Sequence, residues 1–408
     1  MNIGHKVSKY EFKYKNTKDE SKRKVYKHKI TSYKKKIMEG GGILQDALTL
    51  LQNPTTTLTV DKATRGLSNT LEPRMLVTFG TDHRFVPRVE KLNLLKTLLK
   101  LSADATNFTP ILDISYLGEG YHPVDDDDLF ELINQFIKKQ GLYFKAFIAR
   151  KTCFTEEQFD KLELPRTLLV LNLGGCDYRY DSNYIKERFP LLEEFQIAKI
   201  IINGSSLENF PNTLKKISFT ADGKISVDLS PLEKYPNLYM IGDSFLSNFV
   251  RTVDLGPLIK IRAIGNSFLN KTHMTSIDLN GLSNVIVVGS GFLRHSQYLL
   301  SLDLSVLVSL VIIGDNFLED CKSLTNLTFN GLSNVVTIGN YFLTNCHELL
   351  DLDLNGLTKL AVIGDNFLHG CNKLTNIKIT GLLPHIKENI KSQIRNNPSL
   401  NQNIEIID

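Results

Sequence analysis

The sequence predicts an α/β repeat: a solenoid of stacked parallel strands, preceded by a small mixed α/β N-terminal domain. Three observations predict it. First, the segments IGDSFL from Ile241, IGNSFL from Ile264, VGSGFL from Val288, IGDNFL from Ile313, IGNYFL from Ile338 and IGDNFL from Ile363 align, with their glycines spaced 23, 24, 25, 25 and 25 residues apart. Second, Met274, Leu299, Leu324, Leu349 and Leu374 recur every 25 residues, as do Leu282, Leu307, Leu332, Leu357 and Leu382. Third, short alternating segments lie between these columns: TVDLG, SIDLN, SLDLS, NLTFN, DLDLN and NIKIT. A fixed period of roughly 20 to 50 residues with apolar residues at fixed offsets marks a chain that coils and stacks on itself.

Each alternating segment has the polar/apolar period of a half-buried strand and is expected to supply one rung of a parallel sheet. One rung cannot bury its apolar face alone, so successive coils stack around a continuous core, with Phe245, Phe268, Phe292, Phe317, Phe342 and Phe367 as an internal ladder. The Gly-Asp/Asn/Ser pair after each apolar column fits a tight turn, where glycine accepts positive φ and the short polar side chain bonds its own backbone. Upstream the alternation persists as Leu171 and Leu173, Phe195 and Ile197, Ile217 and Phe219, and Val227 and Leu229, spaced 24, 22 and 10. The last gap is too short for a coil, so an irregular stretch or hairpin is expected around Ala221 to Pro231. The solenoid is thereby placed at residues 164–383, degenerate to about 230 and regular over 231–383. Residues 384–408 form its cap: PHIKENIKSQIRNN is a helix opened by Pro384 and NIEII a final strand.

The run GLSNVVTIGNYFLTNCHELLDLDLNGL, Gly331 to Leu357, resembles the BspA-like class of leucine-rich repeats. The likeness covers Val253 to Leu382 well and Leu164 to Asp228 loosely. The resemblance implies a leucine-rich-repeat solenoid that binds a ligand or protein on an extended sheet surface, with no catalytic residues to carry over. The repeats here are longer than the class's common 23 residues, a difference that falls on the loops.

The remainder divides by composition. Residues 1–40 carry 13 Lys+Arg against 4 Asp+Glu, so a +9 arm precedes a body of net charge −5. Within the arm, Lys22, Arg23, Lys24, Lys27, Lys29, Lys34, Lys35 and Lys36 interleave with tyrosines. Three readings stand: a solvated arm or exposed helix, a nucleic-acid or other anion contact through residues 1–38, or docking onto an acidic protein surface. Its composition, with Lys34 to Lys36 running into Gly40 to Gly42, resembles that of the N-termini of many large DNA virus proteins. Residues 41–163 read as a small mixed α/β or helical cap domain, with ILQDALTLL and EKLNLLKTLLKL as helices and LDISYL and YFKAFIAR as strands. Asp125 to Asp128 would suit a hard cation, but acids after Pro123 at the head of an apolar-periodic segment, with Lys138 and Lys139 at its end, fit the two termini of a helix better.

No phosphate-binding glycine loop, HExxH, G-x-S-x-G or paired CxxC is present, so no enzymatic activity and no cofactor are expected. Neither a signal-peptide pattern nor an apolar run long enough to span a membrane is found, and an intracellular protein, free or incorporated in a virion, is expected. Cys321, Cys346 and Cys371 recur at 25 and read as free thiols filling an interior slot. With His347 and His369, Cys346 and Cys371 have spacings compatible with zinc, but the cysteines are inward positions and the histidines lie in loops, so no metal site is expected. The outward residues of the L-x-L rungs are Asp228, Asp254, Asp278, Asp303, Thr328, Asp353 and Lys378. Like charges about 5 Å apart repel by roughly 0.8 kcal/mol per pair even in bulk water. The aspartates are therefore either turn-bonded solubilising residues or an acidic track for a basic peptide or a cation, the protein's own arm included. The expectation is a non-enzymatic interaction or structural protein with a protein partner; the alternative is nucleic-acid association or a virion role through the arm.

Overall fold

The computed structural model describes residues 111–115, 127–150, 152, 154–175, 182–199, 207–220, 226–248, 250–400 and 404–408, together with Lys96 and Leu99. These fall into two compact units, one running from Lys96 to Thr220 with Lys234 to Leu238, the other comprising Ser226 to Glu233 and Tyr239 to Asp408.

In the first unit strands and helices alternate: β1 (Ile111–Asp113), α1 (Asp127–Gln140), β2 (Ala146–Ile148), α2 (Glu156–Asp160), β3 (Val170–Leu173), α3 (Ser182–Arg188), β4 (Glu194–Lys199) and β5 (Lys216–Thr220). Each strand pairs in parallel with the next, with Leu112 beside Phe147, Phe147 beside Leu171, Leu171 beside Phe195 and Phe195 beside Ile217. Those side chains are at most 1% exposed and form the inner face. Helix α1 buries Leu129, Phe130, Ile133, Phe136 and Ile137, the stripe of an amphipathic helix. Thr155 caps α2, accepting from Gln158 N while the Gln158 side chain accepts from Thr155 N. Arg188 ties α2 to α3: its guanidinium donates to Leu162 O (2.9 Å) and Phe159 O (3.2 Å) and lies 4.9 Å over the Phe159 ring. The boundary expected at 163/164 cuts through this sheet, since β2 from the presumed cap domain pairs in register with β3. Three-residue strands set too weak a pattern to be told from a separate small domain.

The second unit contains β6 (Met240–Ile241), β7 (Ala263–Ile264), β8 (Val287–Val288), β9 (Ser301–Asp303), β10 (Ile312–Ile313), β11 (Asn326–Thr328), β12 (Thr337–Ile338), β13 (Asp351–Asp353), β14 (Val362–Ile363), β15 (Asn376–Lys378), α4 (Pro384–Arg395) and β16 (Glu405–Ile407). The order β6-β7-β8-β10-β12-β14 makes one parallel sheet, built on the two residues ahead of each repeat glycine. The expectation that each L-x-L segment supplies one rung of a parallel sheet holds in part, in sheets shorter than this one. Those segments line another face and pair only locally: Val227 with Val253, β9 with β11, and β13 with β15 and β16. The upstream pairs from Leu171 to Phe219 lie in β3, β4 and β5, whereas Val227 sits in the L-x-L column. The gap of 10 thus joins positions of two different columns; residues 221–225 lie outside the described residues.

Glycine lets the coils close up at the end of the continuous sheet's strands. A Cβ built on Gly339 would stand 2.4 Å from Asp315 Oδ1 and 2.6 Å from Gly314 C, and one on Gly364 would stand 2.4 Å from Asn340 N. Coils can approach this closely only where side chains are absent. The adjacent Asx residue stitches them: Asp243 Oδ1 accepts from Asn266 N, Asn266 Oδ1 from Ser290 N, Asp315 Oδ1 from Asn340 N and Asn340 Oδ1 from Asp365 N, at 2.6 to 2.9 Å.

After each glycine the chain alternates left- and right-handed residues. Asn316, Leu318 and Asp320 have φ of 59°, 55° and 58°, and Tyr341, Leu343 and Asn345 repeat them at 57°, 55° and 58°. A left-handed leucine costs roughly 1–2 kcal/mol, offset here by inter-coil bonds. Asn316 N and Asp320 N donate to Asn340 O and Thr344 O of the next coil, and Leu318 N donates to Phe292 O of the preceding one. Between them the phenylalanine ladder runs as expected, from Phe245 to Phe367, with ring centroids 5.2 to 5.9 Å apart and planes within 14°.

Candidate functional site

The expected aspartate column lies on the L-x-L face, where the repeat exposes polar side chains. Asp228, Asp254, Asp278, Asp303 and Asp353 are all exposed, beside buried Leu229, Leu255, Leu279, Leu304 and Leu354. In each, Oδ1 accepts the backbone N–H two residues on, at Ser230, Gly256, Asn280, Ser305 and Asn355, at 2.8 to 3.0 Å. The carboxylate thereby ends the rung and starts the turn that follows. For Asp228 the backbone bond from Ser230 holds the carboxyl below its ordinary value. Turn bonding is thus the aspartates' structural role, and at Asp278 the second carboxylate oxygen also accepts from Asn280 Nδ2 (3.1 Å). The column is not uniformly acidic: Asp303 pairs with Thr328, and Lys378 Nζ lies 3.8 Å from Asp353 Oδ2.

Beside this column the structure exposes apolar residues that the sequence reading did not single out. Tyr298 is 56% exposed, Leu300 49% and Leu350 48%. Tyr298 packs edge-on against His273 with ring centroids 4.9 Å apart. Leu300 and Leu350 occupy one column with Thr275, Thr325 and Thr375, shown by the bonds Leu300 N to Thr275 O, Thr325 N to Leu300 O and Thr375 N to Leu350 O. The available signal was the doubled leucine in YLLS and ELLD, where strand alternation lets only one of each pair point inward. Glu348 and Lys373 form an ion pair at 2.7 Å in the column that holds Tyr298.

The zinc-compatible residues are otherwise engaged. Cys346 and Cys371 are buried and donate through Sγ to Leu318 O (3.2 Å) and Leu343 O (3.0 Å), while His347 Nδ1 pairs with Gly370 O (2.8 Å) and His369 is exposed. Cys321 does the same to Leu293 O, and burial pushes its thiol up to about 12. Among the described residues no group of three or more His, Cys, Asp and Glu converges on a metal position. Asp128 lies in the first turn of α1, 3.7 Å from Lys96 Nζ, and Lys138 and Lys139 lie in the last turn. The basic-arm residues, Lys22, Arg23, Lys24, Lys27, Lys29, Lys34, Lys35 and Lys36, lie outside the described residues.

Residues 262–397 match the BspA-type leucine-rich-repeat region in six copies. This stretch is a BspA-type leucine-rich-repeat solenoid. Similar solved structures include an internalin from Listeria monocytogenes, at 16% identity and TM-score 0.34, covering 72% of this chain and 96% of that one. The functional domain of InlJ from Listeria monocytogenes, which includes a cysteine ladder, matches at 15% identity and TM-score 0.31, covering 73% and 72%. No curated protein matches the chain. Among the described residues, no helix is long and apolar enough to cross a membrane.

Proposed function

We propose that this chain is a non-enzymatic protein-interaction scaffold and that the L-x-L face of its leucine-rich-repeat solenoid is the recognition surface. The observation that carries the reading is the juxtaposition, on one face, of exposed Tyr298, Leu300 and Leu350 with the outward carboxylates of Asp278, Asp303 and Asp353. A large aromatic with aliphatic neighbours inside a polar surround is the composition of an interface centre. The partner that fits is a protein segment carrying an apolar anchor flanked by Lys or Arg. Rim carboxylates of this kind act mainly on encounter rate and orientation, and the apolar centre on residence time.

The test separates charge from fold. Asn in place of Asp254, Asp278 and Asp303 keeps an Oδ1 acceptor for the turn while removing three charges, and Tyr298→Ser removes the anchor. Partner capture is compared between these full-length variants and the wild type, with circular dichroism and melting as fold controls. Reduced capture of the same proteins by both variants, with melting unchanged, is expected. Unchanged capture by both would remove this face from consideration.

A further inference from the structure

Strands β2 to β5 of the first unit are each entered through the same turn. Phe144 N donates to Gly141 O ahead of β2, Leu168 N to Pro165 O ahead of β3, Leu192 N to Phe189 O ahead of β4 and Leu214 N to Pro211 O ahead of β5, at 3.0 to 3.2 Å. The residue that closes each turn is fully buried. The central pairs, Leu142-Tyr143, Arg166-Thr167, Pro190-Leu191 and Asn212-Thr213, are not, and none of these residues is acidic. Because the strands are parallel and pair in sequence order, their leading turns line one edge of the sheet as a ridge with steps of about 4.8 Å.

The ridge carries large apolar side chains at turn tips that do not need them. Leu142 is 76% exposed, Tyr143 60% and Leu191 46%. Helix α1 stops at Gly141, whose φ of 52° is that of a left-handed helix end, and the chain leaves it with Leu142 and Tyr143 outside and Phe144 turned in. Cations surround these tips: Lys138 in the last turn of α1, Lys145 just ahead of β2, and Arg166 in the Leu142 position of the next turn. Lys138 suits the C-terminal end of a helix, but Lys145 and Arg166 have no such duty. None of the three has an acidic partner among the described residues, whereas Lys161, Lys215 and Lys216 of the same unit pair with Glu157, Glu193 and Glu194 at 3.1, 2.9 and 3.3 Å. In the second unit the equivalent turns spend their polar groups on the stack, Lys260 donating to Glu233 O, Asn284 to Ile259 O and Lys359 to Asn334 Oδ1 at 2.6 to 2.9 Å.

We propose that this ridge adsorbs the protein onto an anionic lipid surface, with Leu142, Tyr143 and Leu191 entering the bilayer interface and Lys138, Lys145 and Arg166 lying among the headgroups. Each residue type has its place there. An aliphatic side chain gains by leaving water, a tyrosine ring sits at headgroup level, and Lys and Arg reach phosphates over their own apolar stems. Basic residues beside an anionic leaflet reinforce the apolar contact within a Debye length of the surface. The spacing favours lipid over a protein partner. Leu191 stands two strands from Tyr143, roughly 10 Å along the ridge, with Thr167 between them. A protein interface gathers its anchors into one packed, desolvated centre, whereas a fluid bilayer admits separated side chains singly. The ridge shares no residue with the L-x-L face, so the two readings stand or fall separately.

The test uses the full-length chain, which contains no tryptophan. Leu142→Trp therefore places a single fluorescent reporter on the ridge, and Tyr298→Trp places one on the L-x-L face. Each is titrated with vesicles of phosphatidylcholine alone and of phosphatidylcholine with phosphatidylserine, and binding is followed by emission and by co-sedimentation. The phosphatidylserine vesicles are expected to shift the Leu142→Trp emission to the blue and to leave that of Tyr298→Trp unshifted. Changing Lys138, Lys145 and Arg166 together to Gln is expected to weaken sedimentation about tenfold or more, and Leu142→Ser with Tyr143→Ser to weaken it about tenfold. All five substituted positions are outside the core, and melting confirms that the variants fold. Sedimentation with an unshifted Leu142→Trp emission would place the lipid contact elsewhere on the chain and overturn the proposal, as would equal binding by the wild type and the Gln variant, or no binding to either vesicle. A blue shift that grows with protein concentration in the absence of vesicles would assign the ridge to a second copy of the chain and overturn it as well.

Discussion

At the residue scale, the repeated cysteines are hydrogen-bond donors placed where the backbone needs them. Leu293, Leu318 and Leu343 are left-handed, with φ of 52°, 55° and 55°, and their carbonyls meet the thiols of Cys321, Cys346 and Cys371 at 3.2, 3.2 and 3.0 Å. One coil earlier Ser296 occupies the column and donates to Leu269 O at 3.3 Å, with Thr272 beside it at 2.9 Å. The common property of Thr, Ser and Cys here is a small donor, not a thiol. Cys346→Ala should therefore strand the Leu318 carbonyl and cost about 1–3 kcal/mol, and Cys346→Ser should cost less despite its greater polarity. Urea unfolding of both variants decides it: if Ser is as destabilising as Ala, the column is there for volume alone. The sequence placed these cysteines inward and free by their period, but a period cannot reveal the carbonyl each one meets.

At the scale of the element, the glycine and the left-handed turn that follows it make different demands. Gly339 has an ordinary φ but no room, its would-be Cβ lying 2.4 to 2.6 Å from Asp315 and Gly314. Gly291 has φ +75° but nothing closer than 3.6 Å. The same turn position is held by Ser244, Ser267, Asn316, Tyr341 and Asn366, all with positive φ. Gly339→Ala is expected to destabilise by about 1–3 kcal/mol or more through overpacking, whereas Gly291→Asn should change stability by no more than roughly 0.5 kcal/mol. Chemical denaturation of the two variants side by side tests the distinction, and a comparable loss at Gly291 would mean that its left-handed φ by itself requires glycine there. The Asp and Asn residues of the two turns were legible as turn formers. Which turn would let coils close into a continuous sheet was not, because that depends on inter-coil distance.

At the scale of the whole molecule, stacked coils make stability a nearest-neighbour sum, so an open end needs an explicit stop. Helix α4 provides it. Ile386 and Ile390 are buried, Gln393 accepts from Phe367 N (3.1 Å) and donates to Gly364 O (2.8 Å), and Ser399 Oγ accepts from Gly370 N (2.8 Å). Two turn N–H groups of the last repeat coil thus receive side-chain acceptors from the cap, and β16 closes the L-x-L side by pairing with β15. Removing residues 384–408 should lower the melting temperature and abolish hydrogen-exchange protection first around β14, with the loss fading toward β6. A loss spread evenly over all coils would contradict nearest-neighbour coupling.

By itself the sequence determined the repeat, its register, the phenylalanine ladder, the inward thiols, the exposed aspartates and the capping helix at Pro384. Each of these is a one-dimensional pattern: a period, an alternation, or a residue type that burial and turn geometry demand at a fixed offset. The tertiary structure decided what depends on distances between coils. It chose the column ahead of the repeat glycines for the continuous sheet, where neighbouring coils approach without a Cβ between them. It carried strand pairing from residues 146–148 across to residues 170–172, and it left Tyr298, Leu300 and Leu350 outside while burying Ala263 on a face that alternation alone would have left open.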